Sequence, residues 1–80
     1  MARHYRDMRV ADVREPSGAD YARVAFLESA RFYRVSKQHA SYARMLQLLR
    51  EAQTTRRVLS IGLASMDSDL IEDVRDAGDA

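Results

Sequence analysis

The sequence predicts an α+β domain, a small antiparallel sheet or partial barrel carrying one amphipathic helix. Three observations predict it. A stretch near the middle has a 3.6-residue apolar period, and the stretch after it alternates with period two. The first half is rich in aromatic and β-branched residues and is broken by turn signals. The alternative reading is a mostly α domain with a C-terminal hairpin.

The helix is expected over residues 37–53. Ser36 is a good N-cap, since its hydroxyl can accept a bond from an orphan N–H of the first turn. Tyr42, Met45, Leu46 and Leu49 then fall at i, i+3, i+4 and i+7, on one face. Leu48 and Ala52 widen that stripe, while Arg44, Gln47 and Glu51 point away from it. From Tyr42 to Ala52 there is no Gly, Pro or β-branched residue, and Thr54 and Thr55 end the run of good helix formers.

A hairpin is expected over residues 57–75. Leu59, Ile61 and Leu63 alternate with Ser60, Gly62 and Ala64, the pattern of a half-buried strand. Ser65, Asp67 and Ser68 read as a turn, because short polar side chains bond their own backbone there. Leu70, Ile71 and Val74 mark a second, poorer strand, and residues 76–80 are expected to fray. Upstream, Met8 to Val13 holds β-formers, and Glu15-Pro16-Ser17-Gly18 is a turn signal. Tyr21 to Leu27 and Arg31 to Val35 read as strands with a break near Ser29. A single helix from Asp20 to Arg34 is the rival, but it would put Val24 and Phe26 on nearly opposite faces. Residues 1–6 read as a basic arm. Leu46, Leu49, Leu59, Ile61 and Phe26 are expected in the core.

With the first half as strands, the order is strand–strand–strand–helix–strand–strand, which resembles the small five-stranded OB-type barrel. The run Tyr42-Ala43-Arg44-Met45-Leu46-Gln47-Leu48-Leu49-Arg50-Glu51-Ala52, then Arg57-Val58-Leu59-Ser60-Ile61-Gly62-Leu63, is similar in layout to the helix and following strand of bacterial toxin B-subunits of that fold. The resemblance covers less than half the chain and rests on layout, without a specific motif. It implies ring-like self-association and ligand binding on the barrel. The chain departs from it in having no cysteine and no export signal, and no glycan-binding residue carries over.

Composition bounds the rest. Eighty residues make one domain, 1–80. A domain of this size buries only about 60% of the surface its unfolded chain exposes, so its core is marginal. There is no cysteine to staple it or to supply a thiolate metal site. Apolar content of 46% with 31% charged residues is that of a globular chain and not of a disordered one. No apolar run approaches the ~20 residues that span a bilayer, and Met1 to Arg6 lacks the apolar core of a signal peptide. The expected location is cytoplasmic, with no membrane partner.

Charge is unevenly spread. Net charge is +1, yet residues 1–57 carry +6 and residues 58–80 carry −5, and twelve of the thirteen cations are Arg. Arginine forks carboxylate and phosphate bidentately, which Lys cannot do. An anionic partner met by the first half is one reading; internal pairing between the basic half and the acidic tail is the blander one. Arg23, Arg31, Arg34, Arg56 and Arg57 are the candidate partner-binding residues. Tyr21, Phe26, Phe32 and Tyr33 interleave with Arg23, Arg31 and Arg34, as in a stacking platform for single-stranded nucleic acid. Core packing accounts for the same aromatics more simply.

No catalytic, cofactor or metal signature is present. His4 and His39 are 35 positions apart and lack the local spacing of metal ligands. Asp67-x-Asp69-x-x-Glu72-Asp73 looks like half a calcium loop, but lacks the further ligand, the central Gly and the correctly spaced Glu. Serines 36, 41, 60, 65 and 68 sit in no nucleophile elbow, and glycines at 18, 62 and 78 make no phosphate loop. The expectation is therefore a non-enzymatic protein–protein interaction module, self-associating as a homo-oligomer or docked on a larger protein, such as a bacterial or phage accessory protein. On that expectation, Arg56 and Arg57 join the acidic hairpin of another copy. The alternative is nucleic-acid binding through the Arg-rich first half.

Overall fold

The computed structural model describes residues 4–77. In chain order the elements are β1 (His4–Arg14), β2 (Tyr21–Phe26), β3 (Phe32–Ser36), α1 (Tyr42–Thr55), β4 (Val58–Leu63) and β5 (Ile71–Asp76). The five strands form one antiparallel sheet in the order β3-β2-β1-β4-β5. The domain is thus α+β, with one helix on a five-stranded sheet, and the mostly α alternative falls. The sheet does not close. Its two ends meet at a single parallel bridge between Arg34 and Leu70, where the Arg34 N–H donates to the Asp69 carbonyl at 2.8 Å.

β1 is the organising strand. Its first part, His4 to Arg9, pairs with β4, and its second, Val10 to Arg14, pairs with β2. A register shift between Val10 and Asp12 separates the two parts. An extra residue here bends the strand and raises its twist, so one strand serves two differently facing halves of the sheet. Phase changes with it: Met8 and Val10 point inward before the shift, and Val13 after it.

The core lies between the concave sheet face and α1. Met45, Leu49 and Ala52 of the helix pack against Met8, Val24, Val35, Leu59, Ile61, Ile71 and Val74, all buried. Phe26 and Tyr33 meet edge to face, with ring centroids 5.3 Å apart at 71°. Of the expected core, Leu49, Leu59, Ile61 and Phe26 are buried, whereas Leu46 packs only at the margin. Met45 takes the central place, one position back on the stripe.

Several expectations are corrected. The helix begins at Tyr42, not Lys37, and Ser41, not Ser36, precedes it. Ser36 is the last residue of β3, paired with Tyr21, and its hydroxyl accepts from the Gln38 N–H. Residues 37–41 form turns closed by His39 N–H to Ser36 O and Tyr42 N–H to His39 O. The His39 ring holds them: Nδ1 accepts from the Ser41 N–H at 3.0 Å, and Nε2 donates to the Glu72 carbonyl at 3.1 Å. The helix runs on to Thr55, two residues past the expected end. The basic arm is not free at His4, Tyr5 and Arg6, which pair with Leu63, Gly62 and Ile61; residues 1–3 lie outside the described residues. The frayed tail starts later, since Asp76 pairs with Leu59 and the Ala77 N–H reaches Val58 O; residues 78–80 lie outside the described residues. The strand reading of Tyr21 to Val35 holds, and the rival helix over Asp20 to Arg34 is absent, because that stretch alternates inward and outward as β2 and β3.

Arg56 closes the helix in the left-handed region, at φ 61°, with its N–H on the Ala52 carbonyl. A residue with a Cβ pays roughly 1–2 kcal/mol for that conformation, which glycine avoids. Arg56→Gly is therefore expected to raise Tm by about 4 °C, the shift that ~1 kcal/mol gives a domain of this length. A thermal melt reading no increase means that the Arg56 side chain makes a compensating contact.

Candidate functional site

The outer face of β1, β2 and β3 carries a row of arginines beside the exposed aromatic side chain of Phe32. Residues directly opposite on paired strands share a face. Arg14 pairs with Arg23, and Arg23 pairs with Arg34. Three arginines therefore stand in one row across three adjacent strands, spanning roughly 10 Å at the usual strand spacing. The neighbouring row is Asp12, Ala25 and Phe32. Tyr21 lies beyond the arginines on the other side, opposite Ser36.

The three arginines are not equivalent. Arg14 donates to the Asp12 carboxylate at 2.6 Å, and Arg34 pairs with Asp69 at 3.0 Å. Arg14 holds the Asp12 carboxyl below its ordinary value, and Arg34 does the same to Asp69. Arg23, in the middle, has no carboxylate in salt-bridge range among the described residues. Its guanidinium lies over the Phe32 ring, 4.7 Å from the centroid. Phe32 is 57% exposed, a large apolar ring left in solvent beside the row.

The structure separates the arginines that the sequence grouped. Arg23 and Arg34 belong to this face. Arg31 sits at its edge, over the Tyr33 ring at 5.2 Å, with a bond from Nη2 to the Asp67 carbonyl. Arg57 pairs with Asp76 of β5 in the same molecule at 2.9 Å, on another part of the sheet. Arg56 lines a separate shallow cleft of about 250 Å³ with Arg9, Val10, Ala11, Leu27 and Gln53, at the C-terminal end of the helix. There Glu28 already holds Arg9 through both its backbone N–H and its Nε. Arg14, which the sequence reading passed over, is the third member of the row. Only the register brings it there.

The stacking-platform aromatics also divide. Phe26 and Tyr33 are core, and only Tyr21 and Phe32 face outward with the arginines. The acidic segment pairs largely within the molecule: Asp69 with Arg34, Asp73 with Arg44 and Arg75, and Asp76 with Arg57. Part of the bipolar charge is thus paired within one copy, and Arg57, expected to meet the acidic hairpin of another copy, meets Asp76 of its own β5.

A second cluster lies at the other end of the sheet. Tyr5, Gly62 and Asp73 are opposite one another on β1, β4 and β5. The Tyr5 ring covers Gly62, where an added Cβ would come within 2.9 Å of it, and its hydroxyl donates to Asp73 at 2.7 Å. Arg75 reaches the same carboxylate at 2.7 Å and lies over the Tyr5 ring. The groups with acid–base capacity here are engaged with one another. Elsewhere the Tyr33 hydroxyl accepts from Arg6 and contacts Ser29 Oγ at 3.0 Å. Among the described residues no group of three or more His, Cys, Asp or Glu is placed to hold a metal. No described helix is long and apolar enough to cross a membrane.

No family model matches the sequence, and no curated protein matches it. A solved structure does match in fold, that of a pro-protein-glutaminase. It superposes with a TM-score of 0.77 over 92% of this chain and 26% of the other, at 21% identity. This chain spans about a quarter of that protein's length. The likeness establishes a shared fold. It runs against the expectation of a non-enzymatic module, because the architecture is one found within an enzyme. The sequence missed this because the likeness lies in topology, at 21% identity.

Proposed function

We propose that this protein acts as a domain of an enzyme of the protein-glutaminase kind, which works on glutamine in proteins. The observation that carries the reading is the superposition of nearly the whole chain on one segment of such an enzyme. The chemistry is hydrolysis of a side-chain carboxamide: water adds, ammonia leaves, and a carboxylate remains. That reaction needs a nucleophile, a base and oxyanion donors within reach of one carbonyl. In this chain the imidazole of His39, the hydroxyls of Tyr5 and Ser29, and Asp73 all hold structural partners. The domain's part is then to hold a protein substrate or a neighbouring portion of the enzyme. The groups that break the amide come from elsewhere in the assembly. A larger protein is accordingly the partner.

We further infer that the sheet is a partial OB-type barrel. Four features support this: the strand order, a long first strand shared by two partners, a helix between the third and fourth strands, and the parallel bridge that brings β3 to β5.

Ammonia release from a glutamine-bearing protein tests the enzymatic reading. It is measured with the purified chain alone and with the chain titrated into a protein-glutaminase. The expected result is no release by the chain alone and a rate that moves saturably with its concentration. A flat titration overturns the reading.

A further inference from the structure

The outer face of β1, β2 and β3 is a docking site for an acidic polypeptide segment, we propose, with Arg23 as its centre. The argument begins with the cost of the row. Like charges directly opposite on paired strands destabilise a sheet, and Arg23 has an arginine on each side. Its neighbours relieve their own charge by pairing with Asp12 and Asp69. Arg23 does not; Asp12 feels it only at longer range, behind Arg14. The sheet therefore holds one guanidinium, flanked by two others, with its forked donors uncommitted to any described carboxylate. An arriving carboxylate relieves that repulsion and gains bidentate geometry.

The surroundings select the kind of anion. Phe32, directly beside Arg23, is exposed and presses its ring against the guanidinium. It fixes the arginine's orientation and offers an apolar contact next to the charged one. A ligand that uses both carries an isolated negative charge beside an apolar side chain, as a polypeptide with alternating acidic and apolar residues does. A nucleic-acid backbone brings phosphates in an unbroken line. On this face such a line would meet Asp12 at one end of the site and Asp69 at the other. Both flanking arginines already hold carboxylates of this chain, each through a single bond. The inference concerns this face alone and stands whether or not the enzymatic reading does.

The test is fluorescence anisotropy at low salt with three probes: a labelled Glu-rich peptide carrying leucine at intervals, the same peptide with Gln for Glu, and a single-stranded oligonucleotide. The acidic peptide is expected to bind, and the Gln version and the oligonucleotide to bind at least about tenfold more weakly, a difference of ~1.4 kcal/mol. Arg23→Glu should abolish peptide binding. Arg23→Lys keeps the charge and should weaken it severalfold, because the fork is lost. Phe32→Ser should weaken it independently of charge. Circular dichroism confirms that each variant is folded; these positions lie on the surface, so folding is expected. The proposal is overturned if the acidic peptide does not bind, if the oligonucleotide binds more tightly, or if folded Arg23→Glu binds the peptide as the parent does.

Discussion

Leu49→Ala is expected to cost about 2–5 kcal/mol, a large share of the domain's stability. Leu49 is fully buried on the inward stripe of α1, beneath the central strands of the sheet. Removing its three outer carbons costs their transfer free energy and leaves a cavity that a rigid sheet cannot close. The total available is small. A chain of this length typically holds about 4–12 kcal/mol against unfolding, and no disulfide restrains its unfolded state. The informative comparison is Leu46→Ala. The sequence places both leucines on the apolar stripe, but Leu46 only borders the core, so its truncation should cost about 1 kcal/mol. Urea unfolding followed by circular dichroism measures both. Equal losses at the two positions, or a larger one at Leu46, would show that the helix is rotated from the orientation described.

That comparison also marks where sequence pattern stops informing. The stripe Tyr42, Met45, Leu46, Leu49 was legible because helical period is local. Which edge of it sits deepest depends on how α1 lies across the sheet, which is not local. The start of the helix was misplaced for a related reason. Ser36 has the chemistry of an N-cap, and nothing nearby in sequence shows that its backbone is held in β3 opposite Tyr21. His39 then bridges to Glu72, 33 positions on, and holds residues 37–41 in turns that propensity alone would have made helical. The turn at Glu15-Pro16-Ser17-Gly18 was readable from its residues, and Gly18 takes the positive φ of 80° that the turn needs. β4 was readable from its alternation, while β5 was marked only by the poorer run of Leu70, Ile71 and Val74.

The arginine row lies beyond any local reading. Arg14, Arg23 and Arg34 are scattered along the chain, and their alignment depends on two strand registers. One of those registers is set by the irregularity between Val10 and Asp12. Shifting β1 by one residue would turn Arg14 inward and Val13 outward, so burial of Val13 holds Arg14 in the row. Arg23 and Arg34 were singled out for their charge and their aromatic neighbours; their direct opposition, and the lack of a carboxylate on Arg23, come from the fold. The likeness of fold to part of an enzyme was equally closed to the sequence. It rests on the path of the backbone, and residues that share that path need not share identity.

Asp73→Asn is expected to cost about 1–2 kcal/mol at neutral pH, and that cost should vanish in acid. The carboxylate is 14% exposed. Burial pushes its carboxyl upward, but the Tyr5 hydroxyl and the Arg75 guanidinium outweigh burial and hold it below its ordinary value. A carboxyl held low in the folded state contributes stability that is fully present above its unfolded value, near 4, and is lost as pH falls through the lower folded value. Asp12, Glu15, Glu28 and Asp69 are held low as well, chiefly by bonds from Arg14, Arg50, Arg9 and Arg34. The parent domain should therefore keep a nearly constant Tm above about pH 5 and lose stability steeply below about pH 4. Asparagine retains an acceptor for Tyr5 but gives up the charge that Arg75 and Arg44 face. The variant's Tm should lie below the parent's at neutral pH and approach it as acid protonates Asp73. If the gap is as wide at pH 2 as at pH 7, the residue acts through packing, and the ionised carboxylate between Tyr5 and Arg75 contributes nothing of its own.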